Sequence, residues 1–93
     1  MTKSEPKTTA QLIRAARLAK SRQMYAELEA AGQRIAPRER PETIFQQRDL
    51  AEAAGLDQSI MSKYETGNVE PELPTLRKLA AALGVPVTEL IDP

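Results

Sequence analysis

The sequence predicts an all-α domain of about five helices, and three observations lead there. From Ala10 to Ala31 the chain has no proline or glycine and is dominated by Ala, Leu, Arg, Glu and Gln, residues that lose little on entering a helix. Gly32, Gly55, Gly67 and Gly84 each stand just past a stretch of helical character, where a left-handed C-cap is wanted. Aromatic residues make up only 3% of the chain while apolar residues make up 41%, so the core must be built mainly from Ala, Leu, Ile and Val. That composition suits close-packed helices and argues against a β-sandwich. Ninety-three residues support one small domain with a modest core.

The first eight residues are polar, contain Pro6, and read as a disordered arm before a single domain over residues 9–93. Thr8 or Thr9 can cap a helix beginning near Ala10 and ending at Gly32, either continuous or broken near Lys20-Ser21-Arg22-Gln23. At about 100° per residue, Ile13 and Ala16 share one face, while Leu18, Tyr25 and Leu28 form a second stripe that needs its own partner. That partner is either Ile35, Ile44 or Phe45 of the same chain, or a second copy in a homodimer. Residues 33–42, with two prolines and three arginines, read as an exposed loop. A second helix runs from about Gln46 to Ala54 with Leu50 and Ala51 inward. Asp57 caps a third that ends at Gly67, and Pro74 suits the first turn of a fourth carrying Leu76, Leu79, Ala80 and Leu83. A short fifth helix after Pro86 would present Val87, Leu90 and Ile91.

Residues 47–67, QRDLAEAAGLDQSIMSKYETG, carry the most information. Two helices crossing steeply over a short turn need a small residue at the crossing, here Ala51, and a residue tolerant of left-handed backbone at the turn, here Gly55. Met61 and Tyr64, three apart, turn inward together, which leaves Gln58, Ser59, Ser62 and Lys63 displayed on the other face. The arrangement is a helix-turn-helix over residues 46–67, and its displayed face suits the major groove of DNA.

Charge is distributed unevenly. The net charge is zero, yet residues 1–40 hold nine Lys/Arg against four Asp/Glu and residues 41–93 hold four against nine. The basic half, including Arg14, Arg17, Arg22, Arg34, Arg38 and Arg40, is therefore the reservoir for neutralising phosphate. The chain has no cysteine and no histidine, which excludes disulfides, thiolate or imidazole metal sites, and Ser-His or Cys-His nucleophiles. Glu70 and Glu72 lie in an exposed loop and form no convincing acid/base pair, so no enzymatic activity, cofactor or metal is expected. No apolar run approaches a membrane span and no signal-peptide pattern is present, so a cytoplasmic location is expected.

With these residues in view, the chain resembles the lambda-repressor-like (Xre/Cro) helix-turn-helix family. LIRAARLAK (12–20) is similar to its first helix, and residues 45–91 are similar to helices two to five. The most specific pieces are Gln47-x-x-Leu50-Ala51, Gln58-Ser59-x-x-Ser62-Lys63-x-Glu65-x-Gly67, and the run from Leu76 to Gly84. The family joins its first two helices with a few residues, whereas about 24 residues, Ser21 to Ile44, intervene here. They read as an extended first helix followed by an arginine-bearing loop.

The resemblance implies roles position by position. Gln58, Ser59, Ile60, Ser62 and Lys63 would face bases: Gln58 pairing with adenine N6 and N7, Ser59 with either base type, Ile60 with a thymine methyl, and Ser62 and Lys63 with a phosphate or flanking guanine. Gln47 would touch a phosphate and brace Gln58, with Gln46, Arg48 and Asn68 as further phosphate contacts. Glu65 would form a structural ion pair with Arg17. A Cro- or repressor-like transcription regulator is thus expected. It would bind double-stranded DNA as a homodimer on an inverted repeat and act by occupancy, with Leu18, Tyr25 and Leu28 as a candidate dimer face and nucleoid association when bound. A protein-interaction module, such as a helix-turn-helix antitoxin that occupies a toxin partner, is the alternative.

Overall fold

A computed structural model describes residues 7–91 of the chain. Its elements are α1 (Thr9–Ala30), α2 (Gln47–Ala54), α3 (Gln58–Thr66), α4 (Leu73–Leu83) and a closing 3-10 turn over Val87–Leu90. The expected fifth helix is therefore a single 3-10 turn, so the described residues form four α-helices. Four residues wind and close through i→i+3 bonds such as Glu89 N–H to Pro86 O at 3.0 Å, and Ile91 is already extended, with φ of −114° and ψ of 127°. The arm expected over residues 1–8 lies, as far as Pro6, outside the described residues.

Helix α1 is continuous through Lys20-Ser21-Arg22-Gln23, and its 22 residues span about 33 Å. It begins with a capping box. Thr8 Oγ1 accepts from Gln11 N–H at 3.2 Å and Gln11 Oε1 accepts from Thr8 N–H at 2.9 Å. It ends in a Schellman motif: Gln33 N–H donates to Leu28 O at 2.9 Å and Gly32 N–H to Glu29 O at 3.1 Å. Helix α2 ends the same way at Gly55, whose φ is +72°. A Cβ added there would meet nothing within 4 Å, so the only penalty is the left-handed backbone. Gly55→Ala is expected to cost about 1–2 kcal/mol by urea unfolding, with the m-value unchanged.

The core is a single cluster. Ile13 from α1, Leu50, Ala51 and Ala54 from α2, Met61 from α3, Leu76, Leu79, Ala80 and Leu83 from α4, and Leu90 from the 3-10 turn meet around it, with Phe45 at its edge. Helix α2 packs on α3 and α4, while α1 lies across α3, α4 and the closing turn. Ala51 is 2% exposed, consistent with a crossing too close for a larger side chain. Met61 is fully buried, while Tyr64 is only half-buried and packs on the cluster's rim.

Two polar side chains occupy the buried face of α1, where the sequence pattern pointed only to Ile13 and Ala16. That face runs Ala10, Ile13, Arg17, Ser21, with Met24 packed on the core one turn beyond. Leu18, Tyr25 and Leu28 are each half-buried and stand apart from the core cluster. The loop over residues 31–46 is anchored rather than free. Ser21 Oγ donates to Pro41 O at 2.7 Å and accepts from Phe45 N–H at 2.9 Å, so one fully buried hydroxyl holds both ends of the segment 41–45. Lys20 adds its ammonium over the Phe45 ring, 5.3 Å from the centroid.

Candidate nucleic-acid interface

Helix α3 divides into a packed side and a displayed side. Met61 and Glu65 are buried, and Ile60 and Tyr64 are half-buried. Gln58, Ser59, Lys63 and Thr66 are exposed, with the half-buried Ser62 at the rim next to Glu65. Ser59, Lys63 and Thr66 fall at i, i+4 and i+7, so they form one row along the outer surface. Gln58 stands at the helix's first residue, free of any intrahelical demand on its amide. Asp57 occupies the N-cap with extended backbone, but its side chain makes no capping hydrogen bond, contrary to the expected cap. Ile60 lies on the Tyr64 side of the helix, turned away from the Gln58–Ser62 edge.

Thr66 is the one member of the outer row that sequence reading passed over. It lies seven residues beyond Ser59, which was a sufficient signal. Its hydroxyl donates back to the Ser62 and Lys63 carbonyls, at 3.0 and 3.2 Å, which leaves its methyl and an oxygen lone pair outward. Gly67 follows with φ of +84°, and Asn68 is exposed in the bend beyond it.

The orientation of α3 is fixed from behind by an ion pair. Arg17 Nε donates to Glu65 Oε2 at 2.8 Å and Nη2 to Glu65 Oε1 at 3.1 Å, a bidentate contact with side chains 11% and 3% exposed. The same guanidinium reaches Phe45 O through Nη1 at 3.4 Å. One arginine on α1 therefore ties the recognition-type helix to the segment that leads into α2. Among the described residues this is the only salt bridge.

The start of α2 lies at the end of that segment. Helix α2 begins at Gln47, so Gln46 is its N-cap rather than its first residue. Gln46 N–H donates to Asp49 Oδ2 at 2.7 Å and Gln46 Nε2 donates to Thr43 O at 3.0 Å, while the half-buried Gln47 makes no hydrogen bond to Gln58 in the free chain. Gln46 and Arg48 are exposed on either side of it. Gln46 to Arg48 thus present an exposed amide, a half-buried amide and a guanidinium around the positive end of α2. Among the described residues, no group of His, Cys, Asp or Glu side chains could hold a metal ion, and no helix is long and apolar enough to cross a membrane.

A family model described as helix-turn-helix matches residues 42–90, just over half of the chain. The match takes in α2, α3, α4 and the closing turn, and begins within the last residues of the anchored loop. No curated protein and no solved structure matches the chain.

Proposed function

We propose, from the premise that this chain belongs to the helix-turn-helix family of lambda-repressor (Xre) type, that it is a sequence-specific DNA-binding transcription regulator. The observation that carries the reading is the displayed side of α3, a polar surface of amide, hydroxyl and ammonium groups held outward by a helix whose other side is packed. A helix of this width fits the major groove, where the donor and acceptor pattern distinguishes all four base pairs. Gln58 and Ser59 read base edges at the start of the helix, and Ser62 and Lys63 follow along it. Ile60, half-buried, reaches a thymine methyl at the margin of the surface. Gln46, Gln47, Arg48 and Asn68 hold phosphates on either side, which fixes the register without carrying sequence information.

The chain acts as a homodimer on an inverted repeat, with the two α3 helices in successive major grooves roughly 34 Å apart. A dimer serves because residues 41–93 carry four basic against nine acidic side chains, so this half of one subunit supplies little phosphate neutralisation without a second copy or the basic residues of 1–40. Leu18, Tyr25 and Leu28 are the side chains of α1 through which two copies pair. Occupancy of a promoter by the dimer excludes polymerase and represses transcription. The same acidic balance favours one second reading, a module whose main partner is a protein, such as a toxin, with DNA binding secondary.

Two substitutions test the reading. Gln58→Ala is expected to weaken binding to a cognate duplex by about 1–3 kcal/mol and to relax preference at one base pair. Lys63→Ala, if its contact is to phosphate, weakens binding to all sequences and flattens the salt dependence. Fluorescence anisotropy on cognate and scrambled duplexes separates the two. Equal losses on both duplexes for Gln58→Ala would remove it as a base reader.

A further inference from the structure

The loop between α1 and α2 ends in a hydrogen-bonded ladder that runs without interruption into α2. Arg40 N–H donates to Thr43 Oγ1 at 2.8 Å, and Thr43 N–H returns to Arg40 O at 3.0 Å. Gln46 Nε2 then donates to Thr43 O, and Gln46 N–H to Asp49 Oδ2 in the first turn of α2. Residues 40, 43, 46 and 49 are therefore linked in steps of three. Ser21 clamps the ladder to α1 from beneath through Pro41 O and Phe45 N–H. A long loop would ordinarily be mobile; here its last seven residues, 40–46, are tied by hydrogen bonds to both α1 and α2.

The ladder places an arginine that makes no salt bridge among the described residues. Arg40 is exposed, and its Nη1 leans on two backbone carbonyls, Pro37 O at 3.4 Å and Glu39 O at 3.3 Å, rather than on a carboxylate. The nearby Glu39 carboxylate instead accepts the Thr43 hydroxyl. The rest of the guanidinium fork remains available, and such a fork matches a phosphate's geometry. Ordering the side chain and its backbone in advance removes part of the entropy that a surface arginine loses on binding.

We infer that Arg40 is a further DNA-backbone contact, fused by the Arg40–Thr43–Gln46–Asp49 ladder to the start of α2, and that the loop extends the protein's footprint along the phosphates upstream of Gln46. The inference rests on the DNA-binding reading above. It gives the loop a function that the composition of residues 41–93 demands, since that half lacks the positive charge its own helices need. The contact carries no sequence information, so it sets affinity and salt dependence and leaves base preference unchanged.

The test uses the full chain and a fluorescently labelled duplex that the unmodified protein enriches from a random pool, titrated at several salt concentrations between about 50 and 200 mM. Arg40→Ala is expected to reduce the slope of log K against log salt by about 0.9, the release expected for one phosphate, with the enriched sequence unchanged. Arg40→Lys should restore the slope, and Arg77→Ala, which removes an exposed arginine on α4, should leave it as in the unmodified chain. A slope unaltered in Arg40→Ala, or lowered equally by Arg77→Ala, overturns the inference while leaving the proposed function standing. Failure of the unmodified, folded chain to enrich any duplex removes the proposed function and this inference with it.

Discussion

Glu65→Ala is expected to destabilise the domain by about 3–5 kcal/mol, the cost of leaving one member of a buried ion pair without its partner. The Glu65 side chain is 3% exposed and accepts two charge-assisted hydrogen bonds from Arg17, so its removal strands a guanidinium that keeps only the 3.4 Å contact with Phe45 O. An exposed ion pair would give at most about 1 kcal/mol. Burial decides between the two magnitudes. Replacing both members with apolar residues of similar volume, Arg17→Met with Glu65→Met, should recover most of the loss, because the desolvation penalty of both charges disappears together. Urea unfolding of the two variants checks this, reading the midpoint at constant m-value. A single-variant loss near 1 kcal/mol, or a double variant no better than the single, would show that the pair behaves as a surface contact.

Ser21→Ala is expected to cost about 2–4 kcal/mol, since alanine keeps the Cβ and removes only the hydroxyl, leaving two backbone groups without their hydrogen bonds. The Phe45 N–H bears the larger share, because Phe45 is buried, whereas Pro41 is half-buried and its carbonyl can turn toward water. The loss should be localised as well as global. Amide exchange at Phe45 should accelerate more than exchange at Leu50 or Leu79, which sit in the core away from the clamp. Uniform acceleration across these three amides would mean that Ser21 contributes only through general packing.

Much of the fold could be read from the sequence because its signals were redundant. Gly55 and Gly84 stand where helices end and each is followed by a Schellman closure, and the apolar spacing of Leu76, Leu79, Ala80 and Leu83 marks the inward face of α4. The matched helix-turn-helix combines several such constraints in one short stretch. What the sequence concealed was a serine serving as core. Ser21 on the buried face of a helix looks like a solvent-side residue until its partners, Pro41 and Phe45, 20 and 24 residues away, are known, whereas the Arg17–Glu65 pair, 48 residues apart, is implied by the family resemblance and not by any local pattern. The loop over residues 31–46 looked featureless for the same reason: its order comes from side chain to backbone bonds at spacings of three, which leave no apolar period. The final segment closes as one 3-10 turn because the backbone is extended again at Ile91, a stop that no proline or glycine in the described residues announces.

On the candidate interface, spacing was enough to place Gln58, Ser59 and Lys63 on a displayed surface, because a short helix with one buried stripe leaves little choice for the rest. It was not enough to rank them. Ile60 and Ser62 are both half-buried, and that depends on how α3 is rotated by the Arg17–Glu65 pair, a long-range effect that no local pattern reports.

Selection of bound sequences from a random duplex pool at about 100 mM salt, where surface charges beyond about 10 Å are screened, tests the central claim most directly. The account predicts enrichment of a palindrome whose half-sites lie about 10 base pairs apart, one α3 in each major groove. No enrichment by a chain shown to be folded would contradict it.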